Sequence, residues 1–308
     1  MRPDDWHLTE DVDEFLARAG DFLRSRPALH NTPLTVIEKL RTSRTSRTGG
    51  ADGYGAEATL FGRLESAGEV RATFYRLPAR GLTVTPLAPD HADTLAARLA
   101  ALGHSLPYVS ADHDTATAFA EAWQRHTGAA PTLSNRIRLY RLGTLTPPEP
   151  HPAGRGRITG GTDREQVVRW CREFCVDVGE QSSIDLIDAG SWDDSRFGDR
   201  HFTFWETPDG TPVSMAAVTS MTAAMVRVDP VYTPAHHRGR GYAGAVTVEV
   251  SRAALAAGAT DVVLYADPAN PTSNALYQRI GYVPVTDWAV YDFAREHAAP
   301  RPLSLTRP

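Results

Sequence analysis

Cysteine is scarce in this chain: 308 residues contain two, Cys171 and Cys175. They stand four apart in Arg164–Val178, which reads as a helix, so they share one face. With no further ligand nearby, they read as structural thiols, and neither a disulfide nor a metal site is expected. Lysine is scarcer still. Lys39 is the sole one and arginine carries the remaining positive charge, a pattern of codon bias in a high-GC genome. Long apolar runs are missing: none approaches the ~18 residues of a membrane span. Met1–Trp6 lacks the apolar segment that opens a signal peptide. A basic tail is missing too, and with a net charge of −5 nucleic acid is not an expected partner. These absences predict a cytoplasmic protein without metal, membrane or nucleic-acid partners.

What is present is an ordinary globular composition, 42% hydrophobic and 22% charged, in a chain long enough for two domains. The proline-rich stretch 147–154 divides it into near-equal halves and reads as a linker. Domains are therefore expected at 1–146 and 155–308. Arg41–Tyr54, rich in Thr, Ser, Arg and Gly, reads as a mobile loop.

The second half predicts strands at Arg155–Ile158, His201–Glu206, Val213–Ser220, Ala223–Thr233, Val262–Ala266 and Val283–Phe293. Helices are predicted at Asp163–Val178, Gly241–Ala257 and Thr272–Ile280, with Ser182–Asp199 irregular or helical. The first half predicts the same order: helices at Val12–Arg24, Thr35–Arg41, His91–Leu102 and Ala116–His126, and strands at Ala56–Leu64, Val70–Arg76, Gly81–Leu87, Leu106–Ala111 and Asn135–Leu142. Residues echo as well, Val84–Pro89 with Val228–Pro234 and Ala122–Arg125 with Leu276–Arg279. A tandem duplication accounts for both. The fold class is α/β (α+β), each half a mixed, mostly antiparallel sheet flanked by helices.

One stretch carries the chemistry. Val231–Ala243 reads as a strand running out at Pro234, a glycine-rich loop and the first turn of a helix. Such a turn aims several backbone N–H groups at one spot, with the positive end of the helix dipole behind them. A phosphate is the natural guest. Gly239 and Gly241 allow close backbone approach, and Arg238 and Arg240 add charge that can grip a phosphate through paired hydrogen bonds. A solvated loop remains the alternative on this stretch alone. It is neither a Walker A loop, lacking Gly-Lys-Ser/Thr, nor the Gly-x-Gly-x-x-Gly of a dinucleotide fold.

Arg238-Gly239-Arg240-Gly241-Tyr242-Ala243 resembles the acetyl-CoA loop of the GNAT superfamily of N-acetyltransferases, Arg/Gln-x-x-Gly-x-Gly/Ala. Downstream, Asn270, Leu276, Tyr277, Gly281 and Tyr282 fill the places of the family's second signature. The resemblance covers roughly Arg155 to Phe293, two motifs in the right order and separation. The first half lacks the loop, since Pro89-Asp90-His91-Ala92 runs straight into its helix, and has Trp123 where the second has Tyr277. The resemblance thus implies a degenerate first domain and a catalytic second one.

It implies further roles. Backbone N–H groups from Gly239 to Gly244 would take the pyrophosphate of acetyl-CoA. Val231 and Thr233, with Tyr232 between them, would pair with pantetheine like an added strand, and the Val231 N–H would polarise the thioester carbonyl. The strand splays from its neighbour there. Asn270 would bond the pantetheine arm, although a turn-forming Asn before Pro explains it equally on local grounds. Ser273 is a further polar candidate at that helix start, and Asn274 lies off the pattern. Tyr277 matches the general acid, its phenol near enough in pKa to a thiol to protonate the leaving group; read without the family, it is a core aromatic.

The base is open. Asp229 is the carboxylate on the strand before the loop, two residues from Arg227 and so on the same side, although a turn role before Pro230 is equally plausible. Glu206, at the end of a preceding strand, is another candidate base, though its place beside the turn favours a solvated role; Asp177 and Glu180 at the end of the first helix read as binding a cationic substrate or as solvated. His201 could face a substrate, and His236-His237 reads as exposed surface. No Cys or Ser is placed as an acyl carrier, so direct attack by a small-molecule primary amine in a ternary complex is expected. Binding of acyl-CoA without turnover, as a sensor, is the competing reading. A third is an acyltransferase resembling mycothiol synthase, which shares the tandem layout. Monomer and homodimer both remain open.

Overall fold

A computed structural model describes residues 5–46, 59–77 and 80–294. In chain order the first half forms β1 (Asp5–Thr9), α1 (Val12–Arg24), α2 (Asn31–Ser46), β2 (Leu60–Ser66), β3 (Glu69–Arg76), β4 (Leu82–Val84), α3 (Pro89–Ala101), β5 (Tyr108–Asp112), α4 (His113–Thr127) and β6 (Pro131–Leu142). The second half forms β7 (Arg155–Ile158), α5 (Arg164–Val178), α6 (Gln181–Asp188), β8 (His201–Glu206), β9 (Pro212–Val218), β10 (Met225–Tyr232), α7 (Tyr242–Ala256), β11 (Asp261–Ala266), α8 (Pro271–Arg279) and β12 (Tyr282–Phe293). Element for element the order repeats: strand, two helices, three strands, helix, strand, helix, strand.

Local sequence explains the elements. In α1 the residues Val12, Phe15, Ala19 and Leu23 are buried, the stripe of a one-sided helix. Asp11 Oδ1 accepts the N–H groups of Asp13 and Glu14 at its start. Helix α4 is capped by Asp112, which accepts from Thr115 N, and stops at Gly128 in the left-handed conformation.

Contacts divide the chain into two compact units, and neither is one stretch of chain. One comprises Met1–Phe22, Arg41–Arg136 and Asp287–Pro308; the other comprises Leu23–Leu40 and Ile137–Thr286. In the first unit the strand order is β1-β2-β3-β4-β5, followed by the end of β12, whose Trp288–Asp292 pair antiparallel with β5. Its core sets Leu95, Leu99, Phe119 and Trp123 of α3 and α4 against Phe74, Val84 and Val109 of the sheet. In the second unit the order is β7-β8-β9-β10-β11, followed by the end of β6, whose Arg138–Arg141 pair antiparallel with β11. In both units the only parallel neighbours among the described pairs are the fourth and fifth strands of the order, β4 with β5 and β10 with β11.

The second unit has three layers. Val246 and Val250 of α7 pack with Val226, Val228, Leu264 and Tyr282 on one face of the sheet. Trp170, Cys171 and Cys175 of α5 and Ile184 of α6 pack with Phe202, Phe204 and Tyr232 on the other. Both cysteines are buried and free. Burial pushes the Cys175 thiol up to about 11 and the Cys171 thiol further still, so both stay protonated as packing residues.

Three expectations need correction. Strand β1 was not foreseen. Arg41–Ser46, read as loop, is the end of α2, and the rest of that run lies outside the described residues. Ala223 and Ala224, read as strand, form a turn with φ of 51° and 55°, closed by paired hydrogen bonds between Thr222 and Met225. Among the described residues no helix is long and apolar enough to cross a membrane, and no His, Cys, Asp and Glu cluster could hold a metal.

Candidate active site

The site starts where β10 leaves β11. Parallel pairing runs from Met225 opposite Asp261 to Val228 opposite Leu264 and stops there. On the other edge the register with β9 shifts between Val228 and Val231. Pro230 lies within this irregularity and has no N–H to give to a ladder. Beyond it, Val231 and Tyr232 still pair with Ala216 and Met215 of β9, so the strand holds its place while its β11 side opens. The expected splay is therefore present. Val226, Val228 and Val231 face α7. Met225 joins Ala28, Leu139 and Val263 on the opposite face, and Tyr232 lies there against α5.

After β10 come the extended Pro234, a short turn Ala235–His237, the extended Arg238, and then Gly239 and Gly241 at φ of 76° and 81°. Gly241 is the N-cap of α7, and no side chain caps that end. The first intrahelical bond is Ala245 N–H to Gly241 O, which leaves the N–H groups of Tyr242, Ala243 and Gly244 without helical acceptors. A charged ligand oxygen is what such an end lacks. Gly244 is buried, and a Cβ there would come within 3.0 Å of Leu276 Cδ1. It sets how closely α7 meets α8.

The two arginines of the loop differ. Arg238 Nε donates to Thr233 O at 2.9 Å, its guanidinium pairs with Asp177 and covers the Tyr232 ring. That fork is already engaged and ties the loop to α5, so the expected paired grip on phosphate does not fall to it. Arg240 is exposed, and no carboxylate pairs with it among the described residues. His236 and His237 lie ring to ring at 4.0 Å, and His237 faces Tyr242. Burial, then His236 and Arg240, lower the His237 pKa.

Helix α8 presents the second set. Asn270 is its N-cap and accepts from Ser273 N at 3.1 Å. Asn270 itself is exposed. Asn274 is buried: it accepts from Tyr140 Oη at 2.6 Å and donates to the carbonyls of Asp267 and Asn270. It is the polar pin of the α8 start, which its off-pattern position did not suggest. Tyr277 is buried between the rings of Tyr140 and Tyr282. Its hydroxyl has no hydrogen-bond partner among the described residues. Burial and then the Asp229 charge raise its pKa, so the phenol keeps its proton at neutral pH.

Asp229 accepts from Arg196 at 2.7 Å, and Arg200 stands 3.8 Å from the same oxygen. Burial alone would raise its pKa; Arg196, Arg200 and Arg227 outweigh that and lower it. A base works best with a pKa near the working pH. This carboxyl has moved the other way, so the expectation of a base at Asp229 gives way to an anion that organises arginines. The neighbouring acids are paired as well. Glu180 lies 3.0 Å from Arg196, and Asp177 holds Arg238. Glu206 is not solvated: it is buried and paired with Arg157, which also holds Asp163. His201 is exposed, 3.4 Å from Ser220 Oγ. Glu173 escaped the sequence reading. It accepts from Tyr232 Oη at 2.8 Å, a carboxylate at the strand end bonded to a neutral group. Tyr232 thus spends its side chain on α5, and its carbonyl accepts from Ser214 Oγ at 3.0 Å.

Among the described residues the first unit has no such helix start. Ala88 is extended, Pro89 opens α3 and Asp90 sits in its first turn. Proline removes one of the free N–H groups, and the acid opposes an anion.

Residues 213–289 match the family described as FR47-like protein. That span contains the loop, Asn270 and Tyr277. No curated protein matches the chain in sequence. Among solved structures, a GCN5-related N-acetyltransferase from Sphaerobacter thermophilus superposes with a TM-score of 0.55 at 18% identity, over 94% of this chain and 96% of its own. A Drosophila protein gives 0.54 at 13% identity, over 94% and 99%. A tandem GNAT protein from the clavulanic acid biosynthesis pathway gives 0.50 at 15%, over 93% and 98%. At such identities the likeness speaks for the fold, and it extends over nearly the whole of each chain. The chain thus has the fold of these GNAT structures, and its segment 213–289 is similar to the FR47-like family.

Proposed function

We propose that the second unit transfers an acetyl group from acetyl-CoA to a small primary amine by direct attack. The observation that carries this reading is the uncapped start of α7, opened by Gly241 in the left-handed conformation beside the parting of β10 from β11. Pyrophosphate would lie on the N–H groups of Tyr242, Ala243 and Gly244 with Arg240 adding charge, and pantetheine along the β11 side of β10 at Val231 and past its end at Thr233. The amine nitrogen attacks the thioester carbon, the C–S bond breaks, and the departing sulfur takes the Tyr277 proton. The amine gives up its own proton to solvent, and solvent restores the phenol. The setting is cytoplasmic, where acetyl-CoA is made available.

Calorimetric titration with acetyl-CoA tests this, with Gly241→Glu alongside. A Cβ at 241 meets nothing closer than Pro152 at 3.7 Å, but the φ of 81° costs a side chain about 1–2 kcal/mol of backbone strain, so folding of the variant is checked by circular dichroism; its carboxylate opposes the phosphate. Binding at one site per chain, lost in the variant, is expected; well-folded protein that ignores acetyl-CoA overturns the reading.

One observation favours a second reading, acyl-CoA binding without turnover: Asp229, Asp177, Glu180 and Glu206 are all paired with arginine. Release of free CoA thiol in the presence of amines separates the two.

A further inference from the structure

Acetyl-CoA, on the reading above, occupies the α7 side of the slot. An amine attacking directly must then come from the opposite face of the sheet, the one carrying Arg227 and Asp229. That face is short of negative charge. Arg200 is 8% exposed at its side chain, and its Nε is buried without a hydrogen-bond partner. The Nε of Arg196 is also buried and lacks one, since its approach to Glu180 has an ion pair's distance without a hydrogen bond's direction. Arg227 is half-buried and donates to the neutral Asn31 Oδ1 at 3.1 Å; no carboxylate lies within 4 Å of it among the described residues. Asp229 and Glu180 answer Arg196, Arg200 and Arg227 and leave one positive charge over. Asp199 is half-exposed and divides itself between Arg200 and Lys39.

Unpartnered guanidinium N–H groups are costly when buried and are satisfied well by a planar carboxylate. A single negative charge balances the set. A phosphate dianion would exceed it and face Asp229 and Glu180 at close range.

We propose that the acceptor is an amine that also carries a carboxylate, with the carboxylate held by Arg227 and Arg200. This rests on the transferase reading and names its substrate class. Asn31, bonded to Arg227 and to Tyr265 Oη at 3.0 Å, is then a positioning residue, which gives the segment Leu23–Leu40 a place in acceptor recognition.

The test compares matched acceptors that differ at one group. Amino acids are set against their amides, and ω-amino acids against alkylamines of equal length, with release of CoA thiol followed. The acids are expected to exceed their neutral partners by at least about tenfold in kcat/KM, because a site built for a charged group leaves its donors unpaired with the neutral analogue. Arg227→Gln keeps a donor for Asn31 and removes the charge. It is expected to erase that preference, chiefly through KM, and Arg227→Lys to restore part of it. Equal rates for acids and neutral amines overturn the proposal, as does a preference that survives Arg227→Gln. If acetyl-CoA binds and neutral amines turn over but no acid does, the substrate class is wrong and the transferase reading stands. If acetyl-CoA does not bind, the reading beneath it falls.

Discussion

Arg196 donates to Asp229 at 2.7 Å, and that bond converts the one carboxylate on the strand before the loop from a base into a counter-ion. Asn at this position leaves Arg196 and Arg200 facing each other with less compensation. Asp229→Asn is expected to cost about 2–4 kcal/mol at neutral pH, read by urea denaturation. The folded pKa of Asp229 is lowered, so its stabilisation is complete above the unfolded value near 4 and is lost as pH falls through the folded one. The gap between wild type and variant should therefore shrink in acid. The acid limb of the pH–rate profile should survive the change; a flattened limb would restore Asp229 as base.

Tyr277→Phe removes a hydroxyl that bonds to nothing in the protein among the described residues. Stability should be unchanged, and acetyl-CoA should bind as before. Turnover should fall by about 10- to 100-fold, the scale of losing a proton donor to the leaving group. Equal turnover would return Tyr277 to the core.

Arg240→Ala should weaken acetyl-CoA binding by about threefold to tenfold, and salt should then matter less, because an exposed cation acts through screened attraction. Titrations at low and high ionic strength read both effects.

Asp163 bonds to Arg157 and to Gly160 N–H, which together hold its carboxyl at about 2. The group is 15% exposed, and after allowance for solvent Asp163→Asn should cost about 1–2 kcal/mol. A lowered acid stabilises above its unfolded pKa and stops doing so as pH falls through the folded value. Denaturation curves should therefore differ at pH 7 and converge near pH 2.

Gly281 has φ of 101°, and a Cβ there would stand 1.8 Å from Thr144 O. Neither backbone can yield easily, since Gly143 N donates to Gly281 O at 2.9 Å. Gly281→Ala should cost about 3 kcal/mol or more, seen as a lowered Tm. A neutral result would mean that the turn reshapes.

Much of the fold is legible in the sequence. The sequence bounds of Arg155–Ile158, Val12–Arg24 and His201–Glu206 coincide with those of β7, α1 and β8, because each has a clear period and a clear stop. The duplication was visible from element order and two short echoes. The loop was visible because glycines between a strand and a helix have few other uses.

The sequence by itself determined the repeated order of elements, the left-handed glycines and the free N–H groups at α7, since these depend on residues close in the chain. Only the tertiary structure decided which charges are free. Arg196 and Asp229 are 33 residues apart and Arg238 and Asp177 are 61 apart, and no local pattern tells an engaged arginine from an available one. The tertiary structure also decided where the chain's segments belong. Leu23–Leu40 joins the second unit and the end of β12 joins the first, because strand pairing depends on which edges meet, and edges carry no sequence label.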